Sequence, residues 1–194
     1  EVGDFLKQNQ LKKIQNNSMS EIRLGILGGG QLGSMLSVAA KKLNIKTIIY
    51  SDDKDSPAQN FCDEFIYGDY KDKNKISDFV KKVNIVTYEF ENIPYETLNE
   101  INKSKTVNPK PSINRLIQHR LAEKDFVNKL NIRTTRYVSI EKKSDLETLD
   151  DFLPGILKTT TMGYDGKGQY PIKSLNELNG LNIDFSKEYI LEKL

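Results

Sequence analysis

Two rhythms of apolar and polar positions run along this chain. Ile22, Leu24, Ile26 and Leu27 make a short apolar run that reads as a buried strand. Leu32, Met35, Leu36, Ala39 and Leu43 follow at the spacing of one helical face. Lys46 to Tyr50 predicts a second strand, Phe65 to Tyr67 a third, and Asn84 to Glu89 a fourth. Residues 72–82 predict a basic helix with Ile76, Phe79 and Val80 inward. Strands alternating with helices argue for a parallel sheet with crossover helices, whose ligands gather at the carboxyl ends of the strands. Pro94 to Ile101 then reads as a helix, and Lys105 to Asn108 as a short strand broken by Pro109 to Pro111. One helix capped by Ser112 is expected through Leu116, Ile117, Leu121 and Phe126, with His119 and Arg120 inside it. Thr134 to Ser139, Ile156 to Lys158, Gln169 to Ile172 and Glu188 to Glu192 predict the short strands of a β-rich lobe.

Three junctions between these elements carry chemistry. Gly28, Gly30 and Gly33 form G-x-G-x-x-G where the first strand meets the first helix. Glycines there allow a tight turn, and the free N–H groups of the helix start favour an anion such as a phosphate. Asp52 and Asp53 follow the second strand, where a dinucleotide fold holds a ribose hydroxyl; Ser51 to Pro57 reads equally as a polar turn. The fourth strand ends in Thr87-Tyr88-Glu89-Phe90-Glu91-Asn92-Ile93-Pro94. If the chain stays extended, Glu89 and Glu91 share one side and Tyr88 and Phe90 the other. The plainer alternative is a strand end leading into a helix cap. In Thr159 to Gln169, Gly163, Gly166 and Gly168 surround Asp165 and Lys167, and Lys158 stands seven residues before Asp165. Such a loop suits a lid over phosphates, although Asp165-Gly166 also suits a simple hairpin. No G-K-[ST] follows, so it is not a Walker loop.

Composition narrows the classes. The 194 residues are 37% hydrophobic and 29% charged, with a net charge of +2. Acidic and basic residues are interspersed, so charge points to no nucleic-acid partner. Cys62 is the single cysteine and His119 the single histidine, which excludes an internal disulfide and a multi-histidine metal site. No apolar run approaches the roughly 20 residues of a membrane span, and a cytoplasmic protein is expected. Residues 1–20 read as a polar extension, residues 21–114 as the first domain and residues 115–194 as a partial second one. The chain begins at Glu1 and stops at Leu194 inside a predicted strand, so a truncated chain is expected.

The order and spacing of GGGQLG at 28–33, SPA at 56–58, VTYEFENIP at 86–94, Q-x-R-x-x-E-K at 118–124, Lys158-Thr159, GYDGKGQ at 163–169 and LE at 191–192 resemble the N5-carboxyaminoimidazole ribonucleotide synthetases. These are ATP-grasp ligases of purine biosynthesis. The resemblance runs from about Ile22 to Leu194. It implies a Rossmann-like parallel-sheet domain, then the small α+β ATP-grasp lobe, with the C-terminal ATP-grasp lobe missing. It implies ATP-dependent carboxylation of aminoimidazole ribonucleotide by bicarbonate through carboxyphosphate. ATP contacts carry over to Arg120, Lys158, Gly163, Tyr164, Asp165, Gly166, Lys167, Gly168, Gln169, Glu192, Lys193 and Leu194. Asp165 and Lys167 also carry over as the catalytic pair of the lid. The ribonucleotide side carries over to Gly30, Gln31, Leu32, Tyr88, Glu89 and Glu91. Magnesium is implied, with its ligands beyond Leu194 and none within this chain; the partners implied are small molecules, with a possible homodimer. Ser34 and Thr160 depart from the pattern, each standing where the family has an arginine. Other ATP-grasp ligases and an NAD-dependent oxidoreductase are the rival readings, the latter resting on G-x-G-x-x-G with Asp52 and Asp53.

Overall fold

The computed structural model describes residues 21–163 and 168–194. The polar extension, residues 1–20, lies outside the described residues. The chain divides into two compact units, Glu1–Pro111 and Ser112–Leu194.

The first unit is the predicted parallel sheet. Its strands are β1 (Arg23–Leu27), β2 (Lys46–Ser51), β3 (Glu64–Tyr67), β4 (Ile85–Tyr88) and β5 (Thr106–Val107). All pair in parallel, in the order β3-β2-β1-β4-β5. Successive side chains of a strand face opposite ways, so β1 and β2 feed two cores. Leu27, Ile48 and Tyr50 pack with Ile76 and Phe79 of α2 (Lys73–Lys82) and with Leu98 and Ile101 of α3 (Tyr95–Ile101). On the other face Ile26, Ile49 and Ala58 form a smaller cluster. Asp72 starts α2 by accepting the N–H groups of Asn74 and Lys75, which satisfies two of the donors every helix start leaves over.

The helix after the glycines, α1 (Gln31–Lys42), corrects the periodicity argument. Its buried residues are Gly33, Ser37 and Ala40, whereas Leu32 is 55% exposed, Met35 59% and Leu43 70%. The apolar stripe therefore faces away from the sheet. The reason is distance. A Cβ at Gly33 would lie 2.9 Å from the Gly28 carbonyl oxygen, so only small residues fit the contact side of this helix.

The second unit holds an antiparallel sheet, in the order β6-β9-β7-β8. Its strands are β6 (Tyr137–Ile140), β7 (Gly155–Thr159), β8 (Gln169–Ile172) and β9 (Tyr189–Lys193). The strand expected from Thr134 starts instead at Tyr137; the Thr134 and Thr135 hydroxyls ahead of it donate to Asn128 Oδ1 and to the Lys193 carbonyl. One face packs Ile140, Leu157, Tyr189 and Leu191 with Leu146, Leu149 and Leu178, the last from α6 (Leu175–Gly180). The single helix expected around His119 is two: α4 (Pro111–Ile117) and α5 (Arg120–Lys129). Ser112 lies inside α4, one residue after Pro111, rather than before it. Among the described residues, no helix is long and apolar enough to cross a membrane.

Candidate functional site

Each unit brings its own set of predicted residues together. In the first, Gly28 and Gly30 meet Glu89. Gly28 has φ +103°, a conformation glycine adopts freely. That turn aims the Gly30 N–H at Glu89, whose Oε1 accepts it at 2.9 Å. Glu89 follows the last residue of β4, and its own N–H donates to the Leu27 carbonyl at 3.1 Å. The donor expected to face a phosphate is thus held by a carboxylate. Such a site favours a group that donates hydrogen bonds, an amine or a hydroxyl, over a second anion.

The alternation predicted through Glu91 stops at Tyr88, where β4 ends; the chain bends at Glu89 and turns at Glu91 and Asn92, and Glu91 is exposed. Glu89 and Glu91 therefore do not form the paired side that an extended chain would give. Tyr88 and Phe90 both pack against the larger core, and burial pushes the Tyr88 phenol up. Gln31 and Leu32 stand exposed on the first turn of α1. Ser34 donates its hydroxyl to the Gly30 carbonyl at 3.1 Å, a bond within its own helix turn. Asp53 accepts the Asp55 N–H at 2.9 Å, and the Ser51 and Ser56 hydroxyls lie 2.8 Å apart. Those bonds build the polar turn that the residues of 51–57 suggest.

In the second unit, Lys158 and Glu192 face one another across neighbouring strands. Register pairs Lys158 with Ile190 and Ile156 with Glu192, so the two side chains are diagonal neighbours on one face. Lys158 Nζ donates to Glu192 Oε2 at 2.7 Å. Lys124 Nζ lies 3.3 Å from the other oxygen, Oε1. All three side chains are mostly buried. Burial pushes the Glu192 carboxyl up, but the Lys158 hydrogen bond and the charges of Lys124 and Lys158 outweigh it and hold the group below its ordinary value.

Arg120 begins α5 beside them. Its Nε donates to the Thr159 carbonyl at 3.1 Å and its guanidinium also donates to the Gly163 carbonyl. Gly168, at φ +69°, accepts the Thr159 N–H at 3.0 Å, and Gln169 pairs in register with Lys158. Arg120, Lys158, Gly163, Gly168, Gln169 and Glu192 thus gather where β7 and β8 open into the glycine loop. Lys193 turns elsewhere: its Nζ donates to the Asp151 carbonyl at 2.8 Å. Leu194 is exposed, and its N–H donates to the Pro154 carbonyl at 3.0 Å. Tyr164, Asp165, Gly166 and Lys167, including the proposed catalytic pair, lie outside the described residues.

Sequence reasoning missed two supports of this cluster. His119 sits at the helix break, where its Nδ1 accepts the Ala122 N–H at 3.4 Å. The proton therefore belongs on Nε2, which lies 2.7 Å from Glu188 Oε2. Thr160, buried, donates to the same glutamate, and the Arg120 N–H donates to the Thr160 carbonyl at 2.8 Å. This network anchors the start of α5 to the end of β7. Lys124 was the second miss; the signal available was its i, i+4 spacing from Arg120, which places both on one helix face.

Among the described residues, no three His, Cys, Asp or Glu side chains converge to hold a metal.

Glu192 also predicts a pH dependence. A depressed carboxyl stabilises the fold above its unfolded value and loses that contribution as pH falls through the folded one. Glu192→Gln should cost about 1–2 kcal/mol at neutral pH, since two ammonium groups lose their counter-charge. The gap from wild type should persist above about pH 4.5 and close below it, read as urea midpoints across that range. An equal gap at acid and neutral pH would contradict the pairing.

The sequence and fold match known proteins over most of the chain. A family model described as the ribonucleotide synthetase preATP-grasp domain matches residues 19–118, and an ATP-grasp domain model matches residues 125–194. The chain is 40% identical to the bifunctional purine synthesis protein purC/E of Dictyostelium discoideum over 75% of its own length and 15% of that protein. It is 35% identical to the N5-carboxyaminoimidazole ribonucleotide synthase of Brucella melitensis over 82% of its length and 44% of that enzyme. The Staphylococcus aureus N5-carboxyaminoimidazole synthetase complexed with ADP superposes with a TM-score of 0.83 at 31% identity, covering 89% of this chain and 47% of that one. The chain therefore spans less than half the length of each of these relatives.

Proposed function

The chain belongs to the ribonucleotide synthetase preATP-grasp family, and we propose that it supplies the N-terminal portion of a cytoplasmic ATP-grasp ligase that carboxylates aminoimidazole ribonucleotide. In the proposed reaction, a bicarbonate oxygen attacks the γ-phosphorus of ATP and ADP leaves, giving carboxyphosphate. The N5 amine then attacks the carboxyl carbon, phosphate leaves, and the nitrogen loses a proton.

The observation that carries this reading is the convergence of Arg120, Lys158 and Glu192 beside Gly163 and Gln169. Phosphoryl transfer needs placed positive charge more than covalent chemistry, and Arg120 and Lys158 supply it. The ATP-grasp domain model over residues 125–194 supports assigning this unit to the nucleotide, and the S. aureus relative is complexed with ADP. Tyr164, Asp165, Gly166 and Lys167 complete the loop in the proposal, with Asp165 and Lys167 positioning the reacting groups. Carboxyphosphate is short-lived in water, so a loop that closes over it protects it. On the first unit, Gly30, Gln31, Leu32, Tyr88, Glu89 and Glu91 are assigned to the ribonucleotide. The Glu89 carboxylate beside the Gly30 N–H suits an amine or ribose hydroxyl of that ligand.

The deciding experiment is an ATPase assay on the protein expressed from its complete reading frame. ADP release is expected only when bicarbonate and aminoimidazole ribonucleotide are both present, with one carboxylated product per ADP. The 194-residue chain by itself should show no turnover. ADP release indifferent to the ribonucleotide would overturn the reading, as would tight NADH binding.

A further inference from the structure

We propose that Lys124 is a positioning residue of the nucleotide site: it holds Glu192 in place when Lys158 turns from that carboxylate to a phosphate. The proposal rests on the nucleotide reading above and adds a residue to which that reading gives no role.

The geometry that carries it is a division of labour between two carboxylate oxygens. Lys158 takes Oε2 at 2.7 Å and Lys124 takes Oε1 at 3.3 Å. Two ammonium groups against one carboxylate leave one positive charge in excess, in side chains only 12–16% exposed. A mostly buried excess of one sign attracts an ion of the other, here an anion. Arg120 adds to it, since its guanidinium donates to the carbonyls of Thr159 and Gly163, which carry no full charge.

The two lysines are not equivalent. Lys158 stands one residue before the end of β7, beside the glycine loop. Lys124 lies within α5, and its ammonium sits 5.4 Å from the centre of the Tyr137 ring as well as against Glu192. That ring is fixed in turn: the Tyr137 hydroxyl donates to Asp125 Oδ1 at 2.6 Å and accepts from Asn128 at 3.0 Å. Lys124 is thus held from two sides, while Lys158 is placed to move. Were Lys158 the sole counter-charge, its departure would leave Glu192 bare in a poorly solvated place, repelling the incoming phosphate. With Lys124 on Oε1 the carboxylate stays neutralised, and the exchange costs less.

The test uses steady-state kinetics of the protein expressed from its complete reading frame, with ADP titration calorimetry and a melting temperature on each variant. Lys124→Met should raise KM for ATP about tenfold and change kcat by less than about twofold. Lys124→Arg, which keeps the charge, should recover most of that loss. An unchanged KM in Lys124→Met overturns the proposal. So does a fall in kcat that tracks lost thermal stability and that Arg does not rescue, since a purely structural lysine would behave that way. If wild type itself binds no ADP, the nucleotide reading fails and this role with it. Equal ADP binding by wild type and Lys124→Met removes the role of Lys124 alone.

Discussion

Gly28→Val is expected to destabilise the first unit by about 3 kcal/mol, a fall of about 10 °C or more in its melting temperature. Two costs combine. At φ +103° a β-branched residue is strained whatever surrounds it. The added Cβ would also lie 2.6 Å from Glu89 Oε1 and 2.8 Å from Glu89 Cγ, so the glutamate must swing away. Swinging away breaks its 2.9 Å bond from the Gly30 N–H, which leaves a half-buried donor unmet. Gly30→Ala is the control. Gly30 has φ −74°, which any residue adopts, and its added Cβ would stand 3.1 Å from the same oxygen. It should cost no more than about 1 kcal/mol. Thermal or urea denaturation of both variants measures the difference; equal losses would show that the backbone conformation of Gly28 matters little.

The same two glycines show why part of this molecule is legible in its sequence. G-x-G-x-x-G between an apolar run and a helical pattern is a local signal, and the turn it predicts is formed by those residues. The parallel sheet follows from the same kind of evidence, since alternating strands and helices have few ways to pack. Periodicity failed at α1 because it reports how apolar a face is, not how closely that face approaches its neighbour. Leu32 and Met35 are large, and the contact at Gly33 admits nothing large. The break at His119 was hidden for a related reason. Ile117 and Leu121 keep the helical rhythm across it, while at the break the Arg120 N–H goes to the distant Thr160 carbonyl and the His119 ring accepts the Ala122 N–H.

The chemistry in the second unit was legible as motifs but not as contacts. Lys158 and Glu192 are 34 residues apart in sequence and meet only through the register of β7 on β9. Lys124 joins them from a helix whose face cannot be set before the break at His119 is known. What the glycine turn holds was also beyond reach of the motif. The pattern announces free N–H groups, yet whether they await an anion or already hold one depends on Glu89, 59 residues away from Gly30.

Lys158→Met and Gly30→Val should separate the two ligands of the proposed ligase. In the protein expressed from its complete reading frame, Lys158→Met is expected to lower kcat/KM for ATP about a hundredfold or more, because a placed cation is lost where phosphate charge develops. Ribonucleotide binding should change little, since Lys158 belongs to the second unit. Gly30→Val should do the reverse. Its backbone angle tolerates valine, so the unit still folds, but the branched side chain stands where Glu89 Oε1 would be 3.1 Å from its Cβ. The displaced carboxylate then no longer meets the amine or hydroxyl it is proposed to bind, and ribonucleotide use should fall about a hundredfold. Calorimetry with ADP and with aminoimidazole ribonucleotide on each folded variant reads out both halves. If Gly30→Val loses ADP while keeping the ribonucleotide, the two glycine loops have been assigned the wrong way round. If both variants lose both ligands, the loops do not serve separate ligands at all.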